Sequence, residues 1–118
     1  SRIICKTGTS VKIECRALDF QATTMFWYHQ SQKQGLMLMA TSNEGSKATY
    51  KQGFSEDNFP ISHPSLTFSS LTVASARPED SSFYLCSGRH YTAQLFFGEG
   101  SRLTVLDDLN KVFPPTVA

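Results

Sequence analysis

Asp80-Ser81-Ser82-Phe83-Tyr84-Leu85-Cys86 is the stretch that decides the fold. Its second half, Phe83 to Cys86, is aromatic and apolar and reads as a short strand. Just before it, Ala76-Arg77-Pro78-Glu79-Asp80 fits a single helical turn. Working outward, Met25-Phe26-Trp27-Tyr28 is a second aromatic strand. Val11-Lys12-Ile13-Glu14-Cys15 alternates apolar with polar residues, as a half-buried strand does, and Gly8-Thr9-Ser10 ahead of it reads as a turn. Ser31 to Gly35 is a polar hairpin connection. Leu36-Met37-Leu38-Met39 is apolar on both faces, so it predicts a strand covered twice, by the core and by something else. Asn43-Glu44-Gly45-Ser46 is a turn. Phe59-Pro60-Ile61, Leu66 to Val73 and Leu103 to Leu106 complete the series. No segment sustains helical periodicity, and many short strands at near-regular spacing predict an all-β sandwich.

Cys15, Trp27 and Cys86 then stand in the order and spacing of an immunoglobulin domain, with Tyr84 two residues before Cys86, where the tyrosine corner of that fold belongs. The spacing implies a Cys15–Cys86 bridge between facing sheets, with the Trp27 indole packed against it. Such a bridge restrains the unfolded chain by about 4 kcal/mol in the entropic view. It also implies an oxidising, extracellular compartment. Cys5 is left over, either as an idle buried thiol or as a reactive or intermolecular one.

Composition narrows the function classes. The 118 residues suffice for one domain with a real core. A formal charge of +1 gives no reason to expect a nucleic-acid or membrane-surface binder. No apolar run approaches the roughly 18 residues of a membrane span. The first residues do not resemble a signal peptide. Asn43, Asn58 and Asn110 each lack the hydroxyl residue that glycosylation needs two places on. The three cysteines show no paired metal-ligand spacing, so neither metal nor other cofactor is expected. Catalysis is also not expected. His29, His63 and His90 lie in no nucleophile-elbow pattern, and adjacent Glu79 and Asp80 on a helical turn would point apart. The glycines of Phe97-Gly98-Glu99-Gly100 lack the frame of a phosphate loop and instead predict a β-bulge in the last strand.

The chain resembles a T-cell receptor beta variable domain, most like the human V-beta 2 family. The resemblance is carried by Phe26-Trp27-Tyr28-His29-Gln30, by Pro78 to Cys86, and by the joining segment Phe97-Gly98-Glu99-Gly100-Ser101-Arg102-Leu103-Thr104-Val105-Leu106. Asp108-Leu109-Asn110-Lys111-Val112-Phe113-Pro114-Pro115 resembles the opening of the beta constant region, which distinguishes the chain from an antibody light-chain variable domain or another immune-type receptor domain. The resemblance implies a V-type sandwich of two antiparallel Greek-key sheets over 1–106, followed by a linker and constant-region start over 107–118. It implies an extracellular part of a plasma-membrane receptor, present here as a soluble fragment.

It also implies the sites. The first loop is Asp19, Phe20, Gln21, Ala22, Thr23 and Thr24. The second is Ser42, Asn43, Glu44, Gly45, Ser46, Lys47 and Ala48, continued by Tyr50 and Lys51. The third is Ser87, Gly88, Arg89, His90, Tyr91, Thr92, Ala93, Gln94, Leu95 and Phe96. A fourth covers Ser62, His63, Pro64, Ser65 and Leu66. In this family the loops meet peptide held by a major histocompatibility molecule (MHC). Gln30, Leu36 and Phe97 match the positions that pair with the alpha chain. Bacterial superantigens are a further expected partner, at the second and fourth loops. The chain departs from the family pattern at several places. Its first strand is short, His29 stands for an Arg, Gln32 for a Pro, and Asn58 for a basic residue that commonly pairs with Asp80. Together these imply an engineered or selected variant, and they put the buried Asp80 pair in question.

Overall fold

A computed structural model describes residues 1–16, 21–30, 33–90 and 95–108. Among them ten strands occur in the order β1 (Arg2–Lys6), β2 (Val11–Arg16), β3 (Thr24–Gln30), β4 (Met37–Asn43), β5 (Thr49–Tyr50), β6 (Ile61–Ser65), β7 (Phe68–Val73), β8 (Ser82–Arg89), β9 (Phe96–Phe97) and β10 (Ser101–Leu106). The larger sheet runs β1-β10-β8-β3-β4-β5, with β9 also on β8, and the smaller runs β2-β7-β6. Pairing is antiparallel throughout except for β1, which runs parallel to β10. The expectation of two antiparallel sheets therefore holds with that one exception at the edge. Residues 109–118 lie outside the described residues, and with them most of the linker and constant-region start expected over 107–118.

The sheets face each other through alternating side chains. On β2, Val11, Ile13 and Cys15 are buried while Lys12, Glu14 and Arg16 are exposed. On β3, Met25 and Trp27 are buried in the same way. Met39, Leu71, Val73, Leu103 and Val105 complete the core between the sheets. Cys15 on the small sheet is bonded to Cys86 on the large one, their Cα atoms 6.4 Å apart. Trp27 is fully buried in this layer, and its Nε1–H donates to Ser69 Oγ on β7 at 3.1 Å. A second cross-sheet tie thus satisfies the indole, whose polar atom could not be left dry without cost.

The joining segment closes over this pin. Gly98 N–H donates to Cys86 O at 2.9 Å, and a Cβ on Gly98 would lie 2.9 Å from Cys86 Sγ. From Phe97 to Ser101 the chain takes one residue more than its partner takes from Ser87 to Tyr84, which is the expected bulge. Gly100 within it has φ +83° and lies against the Phe83 ring. A side chain there would suffer both strain and collision.

Tyr84 and Asp80 fix the corner where the chain enters β8. Pro78–Asp80 forms one 3-10 turn, as expected. The Tyr84 hydroxyl donates to Asp80 O at 2.5 Å, and burial, then the Asp80 charge, push its pKa up. The buried Asp80 carboxylate accepts from Arg77 N–H at 2.9 Å and from the Arg77 guanidinium at 3.4 Å. An ion pair therefore exists after all, with a neighbour three residues away rather than with position 58. Glu79 reaches the same arginine at 3.9 Å from an exposed position, so the two acids, expected to point apart, converge on one guanidinium while differing in burial. Cys5 is a free, buried thiol on β1 opposite Val105, and burial raises its pKa. That matches the idle reading of this cysteine, because a protonated thiol is a poor nucleophile. Tyr84→Phe should lower the unfolding free energy by about 1–2 kcal/mol. The check is an earlier urea midpoint with an unchanged slope.

Candidate recognition site

Three strands of the large sheet end together. Thr24 at the start of β3 is opposite Asn43 at the end of β4 and opposite Arg89 at the end of β8. The segments that leave these ends therefore emerge side by side. Side chains join them. Thr24 Oγ1 donates to Asn43 Oδ1 at 2.8 Å, and Thr23 Oγ1 donates to Arg89 O at 3.1 Å. Backbone bonds add Glu44 N–H to Thr23 O at 3.1 Å and Ala22 N–H to Leu66 O at 2.6 Å.

The loops are shorter than the sequence predicts, because strand pairing continues further toward the rim. Thr24 belongs to β3. Ser42 and Asn43 belong to β4, with Ser42 fully buried. Ser87, Gly88 and Arg89 belong to β8, and Phe96 to β9. Ser62, His63, Pro64 and Ser65 form β6 rather than a loop, and only Leu66 lies in the following turn. Pro64 is tolerated there because β6 is an edge strand whose register with β7 breaks between Ser62 and Ser65. What projects in the second segment is Glu44 to Ala48, turned by Gly45 at φ +75°. Tyr50 lies on β5, and Lys51 follows, exposed. Gln21 is exposed, whereas Ala22 is buried. His90 follows β8 directly, and Leu95 is exposed before β9. Asp19, Phe20, Tyr91, Thr92, Ala93 and Gln94 lie outside the described residues, as does Gln32.

Beside this end, a cleft of about 330 Å³ separates 45–48 from 61–64, with Tyr50 and Glu56 on its walls. The Tyr50 hydroxyl donates to Phe59 O at 2.6 Å. Burial and the Glu56 charge raise its pKa, so it stays a donor. His63 sits at the cleft with its ring turned inward. Its Nδ1 lies 3.2 Å from Ser42 Oγ and its Nε2 lies 3.1 Å from Ala22 O. Gly88 is needed on the other side. A Cβ there would meet the Phe96 ring at 2.7 Å and Ala22 Cβ at 2.9 Å.

A second surface covers the outward face of the large sheet. Side chains alternate along a strand, so Phe26, Tyr28 and Gln30 face away from buried Met25 and Trp27. Register places Leu38 beside Tyr28, and Phe83 and Leu85 across from Gln30 and Tyr28. The Phe97 ring lies 6.1 Å from Tyr28, and the Tyr28 hydroxyl bonds Ser87 Oγ at 2.9 Å. Leu36 and Phe97 are 43% and 54% exposed. The Arg89 guanidinium lies 5.5 Å from the Phe26 ring centroid, on this face rather than out at the loop tip. Such a face is normally polar where it meets water.

The immunoglobulin V-set domain family matches residues 2–106. Human T cell receptor beta variable 20-1 is 76% identical over 89 residues, which cover 75% of this chain and 80% of that protein. This chain is a T-cell receptor beta variable domain. Human T cell receptor beta variable 29-1 is 60% identical over 87 residues, covering 74% of this chain and 78% of the relative. A solved structure, described as the basis of T cell specificity and activation by the bacterial superantigen toxic shock syndrome toxin-1, contains a chain 56% identical. It superposes with a TM-score of 0.84 over 90% of this chain and 93% of that one. In this beta variable domain, the ties through Ser42, Ser69 and His63 carry no sequence motif, because each depends on register between distant strands. Among the described residues no cluster of three metal-ligating side chains occurs. Gly88→Val should cost about 1–3 kcal/mol of stability by overpacking. Its NMR shift changes should concentrate at Ala22 and Phe96 and spare the β1–β10 pair.

Proposed function

We propose that this beta variable domain pairs with an alpha variable domain through the outward face of its large sheet, and that the pair reads peptide–MHC through the loop end. The observation that carries the reading is the apolar outward face itself. Tyr28, Leu38, Phe83, Leu85 and Phe97 gather there with Gln30, and two of the larger side chains at its rim are about half exposed. An apolar patch of that kind on a sheet calls for a protein cover. Gln30 offers an amide for hydrogen bonding, while Leu36 and Phe97 offer apolar contact. The first, second and third loop segments then lie together at one end, where the pair presents them outward. The domain is read as the extracellular part of a membrane receptor, with 107–118 leading into a constant region. It is a binding module rather than an enzyme: Asp80 is engaged by Arg77, and His63 by Ser42 and Ala22.

A second partner is a bacterial superantigen, docking across 43–51 and 62–66. Support comes from the solved relative, whose structure concerns activation by such a toxin, and from the chemistry of this side. Asn43, Glu44, Ser46, Lys47 and Lys51 are exposed beside the cleft, a polar and wettable patch of the sort protein partners use at moderate affinity.

Leu36→Arg or Phe97→Arg should weaken alpha-domain pairing at least about tenfold, the cost of a charge at an apolar contact centre. Gln30→Ala should weaken it less. Surface plasmon resonance measures both, and unchanged pairing in Leu36→Arg rejects the assignment. Titration with a toxin panel tests the second partner. Binding of one toxin, lost on Lys51→Glu, is expected, and absence of any binding below about 100 μM rejects it.

A further inference from the structure

His63 is 5% exposed, so its two ring nitrogens must be satisfied within the protein. A backbone carbonyl can only accept, so the bond to Ala22 O assigns the proton to Nε2. In the neutral ring Nδ1 is then an acceptor, and the buried Ser42 hydroxyl donates to it. The backbone of the same residue is also engaged, since His63 O accepts from Gly45 N–H at 3.2 Å. One residue therefore touches three segments: the exit of the first loop, the end of β4 and the turn of the second loop.

The surrounding bonds close a ring. Ala22 N–H is held by Leu66 O beyond β6, and Glu44 N–H is held by Thr23 O. Alternation along β6 turns His63 inward while its neighbours Ser62 and Pro64 stay exposed. Those exposed neighbours, with Glu44 to Lys47, form the outer surface, and His63 lies beneath them. Removing its ring would leave 61–66 joined to the first and second loops mainly by backbone bonds near the surface. Segments held only in that way open at low free energy.

We propose that His63 is the positioning residue that locks the first, second and fourth segments into one preformed surface for a protein partner docking across 43–51 and 62–66. It contacts no partner itself. It acts through Ala22, Ser42 and Gly45, and it spares the partner the ordering cost of three separate segments. The proposal rests on the superantigen reading for its partner, but the locking can be measured without one.

Three variants test it. His63→Phe keeps ring shape and removes both ring bonds. His63→Asn places a polar atom near the Nδ1 position, toward Ser42, and His63→Gln places one near Nε2, toward Ala22. Amide hydrogen exchange is followed at Ala22, Glu44 and Gly45, with β8 amides as the fold control. Binding of toxic shock syndrome toxin-1 and of an alpha variable domain is measured in parallel. In His63→Phe, exchange at Glu44 and Gly45 should rise about tenfold or more while β8 is unchanged. Toxin affinity should fall about fivefold or more, chiefly through faster dissociation, with alpha pairing unaffected. Asn should restore protection mainly at Gly45, and Gln mainly at Ala22. A folded His63→Phe with unchanged exchange at Glu44 and Gly45 overturns the proposal. If the Phe variant does not fold, the Asn and Gln variants decide it, and loss of their selective rescue overturns it. If the unmodified domain does not bind the toxin, the superantigen reading fails, while the exchange data still judge the lock.

Discussion

The Cys15–Cys86 bridge, with the Trp27 indole beside it and Gly98 backbone across it, is the constraint on which everything else depends. It ties β2 of one sheet to β8 of the other. The Trp27 bond to Ser69 repeats the tie through a polar contact, so the sheets are fixed in slide as well as in spacing. Because Gly98 approaches the sulfur so closely, the return of the chain from the third loop into β10 is set by the same point. The bridge itself contacts no partner. It gives rigid ends to β3, β4 and β8, and the recognition segments leave from those ends.

Two surfaces with different physics grow from this frame. The outward face of the large sheet is apolar, built from strand alternation with a register shift between Trp27 and Tyr28. Covering such a face is driven by area removed from water. The loop end and the adjoining cleft are polar and irregular, held by single hydrogen bonds through Thr23, Thr24, Ser42 and His63. Contacts there give direction and selectivity, and their quality depends on how well the segments are ordered beforehand. Arg89 belongs to both, since it ends a strand at the loop base yet lies over Phe26 on the sheet face.

The sandwich was legible in the sequence because it rests on residues whose roles are local or repeat with period two. Trp27, Tyr84 and the cysteines announce themselves, and the Phe97 to Gly100 stretch forms the bulge its glycines predict. Loop boundaries were less legible. Ser42, Ser62 and Arg89 read as loop residues by the resemblance, yet each is held in a strand by a partner remote in sequence. Asp80 shows a different failure. The missing base at position 58 drew attention to a long-range pair, while the arginine three residues away supplies the charge. The resemblance alone places His63 in the fourth loop, and its inward role appears only once 61–65 is seen to alternate as a strand.

If one rigid frame carries two separate recognition surfaces, one on the sheet face and one at the second and fourth segments, both partners must be able to bind at once. Sedimentation velocity on a mixture of this domain, an alpha variable domain and toxic shock syndrome toxin-1 reads that out. A single species containing one copy of each is expected, with neither partner displacing the other. Mutual exclusion, with only two-component species at every ratio, would contradict the two-surface frame.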